Sequence, residues 1–199
     1  FEEAIHQTRP HHGQMESARI GRALVEGSTL IGWRPREEQQ DAYSYRGIPQ
    51  IHGAVRDLWS DVFQTVRRAL EDLAQGRAVN MAALTLAQDQ LTMAAPVLTG
   101  IGHQRLFRLN DAKLSHGLPD YLVKKPGVNS GMMIDEYAAA SQAAWSSNLV
   151  TPVAAHDPQR GTFVSAQRTH ESLDHLERAL AIELLMATRA MHLRFEAAH

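Results

Sequence analysis

The chain has 199 residues, 44% hydrophobic and 21% charged, enough for one good core or two small ones in an ordinary globular protein. A formal charge of -2 gives no footing for nucleic acid or an anionic membrane, and the absence of Cys excludes disulfides, a thiolate nucleophile and a Cys-ligated metal. No apolar run approaches the roughly 20 residues that span a bilayer, and Phe1-Glu2-Glu3 lacks the basic start of a signal peptide. The expected setting is a reducing one, the cytoplasm. With no initiator Met, the chain is expected to begin inside something longer.

Helical periodicity dominates in chain order. A short helix is expected over residues 14–26, before Gly27. Ile51, Val55, Leu58, Val62, Val66, Leu70 and Leu73 recur three and four apart, which predicts a helix from just after Pro49 to Gly76. A second long helix is expected over 80–109, kinked at Pro96. A third, Ala-rich, covers 134–145. The fourth covers 172–194, with Leu173, Leu176, Leu180, Leu184, Ala187 and Met191 as its expected buried stripe. No segment alternates like a strand. The connections over 28–49, 110–131 and 148–165 run to about 20 residues each, a length usually reserved for function or disorder.

The densest polar cluster lies in the first of these connections. Gln40, Tyr43 and Arg46 are three apart and would share one side of a helical turn. An amide, a phenol and a guanidinium together suit an amino acid, since Arg grips a carboxylate with two parallel hydrogen bonds and Tyr can move a proton. On spacing alone, the same residues more readily make a polar turn capping the next helix. Asn129-Ser130-Gly131 is expected to act as the N-cap of the third helix. The eleven His residues do not form a metal pattern: His11 and His12 point apart, and His170 and His175 are five apart, off a common helix face. No phosphate loop and no Gly-x-Ser-x-Gly elbow occurs.

In order along nearly the whole chain, several stretches resemble the family of histidine and phenylalanine ammonia-lyases and their aminomutase relatives. Pro10-His11-His12-Gly13-Gln14 is similar to the family's Pro-His-x-Gly-Gln, and Glu26-Gly27-Ser28 to the end of the helix that follows. Gln40-Asp41-Ala42-Tyr43-Ser44-Tyr45-Arg46 resembles its Gln-Asp-x-Tyr-Ser-x-Arg signature. His116-Gly117-Leu118-Pro119 and Val128-Asn129-Ser130-Gly131-Met132-Met133-Ile134 resemble Gly-Leu-Pro and Leu-Asn-Ser-Gly-Phe-Met-Ile. Gln167, His170 and Ser172 fall where Gln-Glu-Asp-His-x-Ser would be, and Leu180 to Leu185 resembles the start of a late helix.

The resemblance implies an all-α fold, a long up-down helical bundle of the ammonia-lyase/fumarase-like type, with residues 1–199 as one helical domain of a longer chain. It implies a carbon-nitrogen lyase that eliminates ammonia from an aromatic L-amino acid, or a related 2,3-aminomutase. A non-catalytic relative keeping the bundle for assembly is the further alternative. It implies a homotetramer, no metal, and the electrophile 4-methylideneimidazole-5-one (MIO), formed in the family from Ala-Ser-Gly. Tyr43 would be catalytic, and Gln40, Arg46, Gln167 and Arg168 would bind substrate. Three departures stand out. No Ala-Ser-Gly occurs between Phe1 and His199, so the electrophile would come from residues outside this chain. Only Gln75 to Asn80 occupies the place of a longer family loop. Arg168 stands where the family carries an acid, which reverses a charge beside the substrate and argues against histidine.

Overall fold

The computed structural model describes residues 11–28 and 41–198. The chain divides into two compact units, residues 1–63 and 64–199. Among the described residues every regular element is helical.

The first unit holds α1 (His12–Val25), the single turn α2 (Tyr43–Arg46) and the first half of α3 (Ile48–Ala74). The buried face of α1 is small, made of Gly13, Gln14, Ser17 and Ala18. It meets α3 glycine against glycine: a Cβ on Gly13 would strike the Gly53 carbonyl, and one on Gly53 would strike the Gln14 backbone. At the start of α3, Pro49 takes a position where no N–H is needed, and it is buried.

The second unit begins within α3. That helix ends where Gly76 adopts φ +69, with the Arg77 N–H returned to the Asp72 carbonyl at 2.8 Å. Arg77 also pairs with Asp72, and Asn80 accepts the Ala83 N–H at 3.2 Å to open α4 (Met81–Leu109). Gln75 to Asn80 is therefore a complete, tightly bonded connection. After α4 come a short 3-10 turn (Asp120–Leu122), α5 (Met133–Asn148) and α6 (Thr162–Ala198).

Hydroxyl contacts fix how these helices run. Thr85 meets Thr162 at 2.7 Å and Thr92 meets Thr169 at 2.9 Å, seven residues farther along both helices. Farther still, Arg105 forms a two-pronged pair with Glu183. An offset that stays at 77 to 78 residues means that α4 and α6 run parallel. Between α5 and α6 the contacts are Ser146 with Ser172 and Gln142 with His175, an antiparallel order. The unit is an up-down-up bundle.

Its interior changes character along its length. The first half is a seam of small hydroxyl residues. The second half is an apolar cluster of Leu106, Leu118, Leu122, Ala139, Met186, Ala190 and Leu193. In the seam, Pro96 lacks the N–H that would bond the Thr92 carbonyl, and the Ser172 hydroxyl donates to that carbonyl at 3.3 Å instead. Asp89 is buried and accepts from the Ser165 hydroxyl at 2.6 Å and the Ala154 N–H at 2.8 Å, which ties the connection before α6 to α4.

Two expectations are corrected here. The last helix begins ten residues before the predicted start, because its first turns bury Thr162, Ser165 and Thr169 and turn Phe163 and Val164 outward, so they carry no inward apolar stripe. Its buried face is Thr169, Ser172, His175, Ala179, Met186, Ala190 and Leu193, whereas Leu184 is 70% exposed and Leu173, Leu180 and Met191 also face outward. Small residues let α6 approach α4 closely, and that rotates the larger leucines away from the interior. Nor do Asn129 and Ser130 cap α5. Met132 occupies the cap position without a side-chain bond, and Asn129 donates instead to the Lys124 carbonyl at 3.0 Å.

The seam can be tested by unfolding in denaturant. Ser172→Ala should cost about 1–3 kcal/mol by stranding the Thr92 carbonyl. In a Pro96→Ala background, where residue 96 regains its N–H, the same change should cost less than about half as much.

Candidate functional site

Tyr43 and Arg46 are on the same side of α2, as their spacing requires. Tyr43 is 60% exposed and Arg46 is exposed too. The Arg46 Nε donates to the Asp41 carbonyl at 2.9 Å, which anchors the stem of the side chain. Its two terminal nitrogens carry no hydrogen bond among the described residues. A guanidinium held in this way presents its outer edge to a planar anion without much further loss of freedom. Gln40, the third member of the cluster, lies outside the described residues.

The turn depends on Gly47. Gly47 donates its N–H to the Tyr43 carbonyl at 2.7 Å, and the Tyr43 ring folds back over it. A Cβ at position 47 would lie 2.9 Å from that carbonyl and 3.1 Å from the ring Cζ. Gly47 therefore sets where the phenol sits. A glycine directly after the motif's arginine is the signal that could have revealed this.

Gln167 and Arg168 lie in the second unit, on the second turn of α6. Gln167 is exposed. Arg168 donates from Nη1 to the Thr151 carbonyl at 2.8 Å, so it holds the connection that Asp89 also fixes. Tyr43 and Arg46 belong to the first unit. His170 is exposed, whereas His175 is buried, bonded to Gln142 at 2.8 Å and stacked on Trp145. Among the described residues no group of three or more His, Asp or Glu is placed to hold a metal ion. No described helix is long and apolar enough to cross a membrane.

The electrophile of the resembled family does not fit residues of this chain. Ala-Ser-Gly is absent. In Asn129-Ser130-Gly131, Gly131 takes φ +52 and packs against the Tyr121 carbonyl and Val123 as part of the turn into α5.

Comparison with known proteins bears on the family and the fold. The family model for aromatic amino acid lyases matches residues 1–199. The chain is 33% identical over 216 residues to histidine ammonia-lyase of Caldanaerobacter subterraneus, covering 98% of this chain and 42% of that protein. The crystal structure of histidine ammonia-lyase from Trypanosoma cruzi is similar at a TM-score of 0.81 and 29% identity, covering 96% of this chain and 39% of that one. Phenylalanine aminomutase of Pantoea agglomerans gives 0.83 at 25% identity, covering 97% and 45%. The chain belongs to the aromatic amino acid lyase family, whose ammonia-lyase and aminomutase branches share this helical bundle. It spans about two-fifths of the length of the curated relatives it matches. The aligned span exceeds the 199 residues of the chain, so the relatives carry extra residues within it.

The packing of Gly47 has a direct readout. In Gly47→Ala, the aromatic NMR resonances of Tyr43 should shift while those of Tyr137, in the second unit, stay in place. Unchanged Tyr43 resonances would show that its ring does not rest on this glycine.

Proposed function

We propose that the complete protein eliminates ammonia from an aromatic L-amino acid, and that this chain supplies the part of the active site that grips the substrate. The observation that carries the reading is the anchored, exposed guanidinium of Arg46 on the same helical turn as Tyr43. Arg46 binds the carboxylate through two parallel hydrogen bonds. Tyr43 handles the proton at the reacting end, and Gln40, Gln167 and Arg168 complete the substrate contacts. Where the complete protein carries MIO, formed from residues outside this chain, that group activates the amine as a leaving group. The residues of this chain bind and orient the substrate. Arg168 places a positive charge at the substrate, which favours a neutral aromatic side chain over an imidazolium. An aminomutase would use the same grip, and product analysis separates the two: an α,β-unsaturated acid for a lyase, a β-amino acid for a mutase.

In the complete enzyme, Arg46→Ala should lower kcat/KM at least about 100-fold, the loss expected for a charged two-point contact of about 2–4 kcal/mol. Arg46→Lys should restore little, because a point charge lacks the fork. A loss below about tenfold for Arg46→Ala would overturn the assignment.

The same reading includes assembly as a homotetramer in the cytoplasm. The support on this chain is the apolar surface left outward: Leu86, Met93 and Val97 on α4, and Leu180, Leu184 and Met191 on α6. The 199-residue chain alone should yield no unsaturated acid and no electrophile absorbance, yet should sediment as more than a monomer. A clean monomer would refute the association. Turnover would show that the electrophile arises within these residues.

A further inference from the structure

At the end of the second unit where α4 stops, an open cavity of about 390 Å³ lies between α4, the 3-10 turn and α5. That volume is within the range of small-ligand pockets. Thr92 sits beside Thr169, one residue on from Arg168. Asn110 lies eighteen residues beyond Thr92, about 27 Å at 1.5 Å per residue. The cavity is thus distant from Gln167 and Arg168, and none of the residues assigned to the lyase reaction lines it.

Its chemistry is that of an acceptor-rich, aromatic-walled box. Asp111, Asp120 and Glu136 contribute three carboxylates, against the single cation Lys113. Each acid is held from one side. Asp120 Oδ1 accepts the Ala112 N–H at 2.7 Å, Asp111 Oδ1 accepts the Lys113 N–H at 2.8 Å, and Glu136 Oε1 lies 2.5 Å from His103 Nε2. The other oxygen of each carboxylate has no hydrogen bond among the described residues.

Asn110 is the second, independent feature. It is 7% exposed and lines the cavity. Its amide nitrogen donates to the Met132 carbonyl at 3.1 Å, while its Oδ1 is buried with no partner. An unpaired buried acceptor is unfavourable, and a donor that reached it from the cavity would relieve that. Phe107, Tyr121 and Tyr137 add ring faces, all three partly or largely exposed. Tyr121 holds its position through a left-handed backbone, φ 53, and an N–H bond to the Asn110 carbonyl at 3.0 Å. The end of α4 adds the negative pole of a helix. Carboxylates, an unpaired amide oxygen and aromatic faces together favour a cation that carries N–H groups.

We infer that this cavity binds a small primary alkylammonium ion, with Glu136, Asp120 and Asn110 Oδ1 accepting its N–H groups and Tyr137 and Phe107 covering its alkyl chain. The inference stands independently of the lyase reading.

The probe is n-butylammonium, titrated into the full 199-residue chain by calorimetry at low salt, with tetramethylammonium as the arm that has charge but no N–H. Saturable binding of one ion per chain is expected, with Kd on the order of 1 mM. Tetramethylammonium should bind at least about fivefold more weakly, since it cannot donate to Asn110 or the carboxylates. Glu136→Gln keeps a partner for His103, and Tyr137→Leu alters an exposed residue, so both should fold. Each should weaken binding at least about tenfold with the circular dichroism spectrum unchanged. No saturable binding overturns the inference. So does binding that both variants leave intact, and so does equal affinity for tetramethylammonium.

Discussion

A hydroxyl seam between two parallel helices governs the larger unit. Thr85, Thr92, Thr162, Ser165, Thr169 and Ser172 are small enough for α4 and α6 to approach closely, and each finds a hydroxyl or backbone partner across the gap. A buried hydroxyl without a partner costs more than its bond returns, so the seam holds only in one register. Pro96 sharpens that requirement, because it leaves the Thr92 carbonyl to Ser172. The offset then carries through to Arg105 and Glu183, a pair that is costly to bury unless its geometry is met.

This seam also marks where sequence reasoning succeeds and where it fails. The limits of α4 are legible, because Asn80 is a standard cap and Leu109 is followed by a polar Asn-Asp pair. The end of α3 is legible in Gly76. The face of α6 is not. Periodicity assigns the interior to the bulkiest apolar positions, but α6 buries Ser172, Ala179 and Ala190 and turns Leu180 and Leu184 outward. A hydrophobicity pattern cannot distinguish a stripe that faces a neighbour in the same chain from one that faces elsewhere. Likewise, Asn129-Ser130-Gly131 has the composition of a cap, yet its backbone is committed to the turn around Tyr121.

The candidate site was legible in a different way. The spacing of Tyr43 and Arg46 places them together on any helical turn, and the structure holds them on one. What spacing could not convey is how they are held. The anchor of Arg46 is a main-chain carbonyl, and the position of Tyr43 depends on the missing side chain of Gly47. Arg168 shows the converse. Its charge is plain in the sequence, but its bond to the Thr151 carbonyl appears only once the connection before α6 has been folded against Asp89.

The outward leucines and the inward hydroxyls are two sides of one constraint. A helix has a limited circumference, and an interior built from Ser, Thr and Ala excludes larger side chains from that face. Leu173 and Leu180 on α6 and Leu86, Met93 and Val97 on α4 must then lie on the remaining faces. Burying one such side chain is worth about 1.5–3 kcal/mol, a gain that the single chain forgoes at every one of these positions. The seam offers little hydrophobic compensation, since its hydroxyl contacts mainly replace bonds to water. Within this chain the close parallel pair of helices therefore gains its apolar stabilisation at one place, the cluster around Leu106 and Met186.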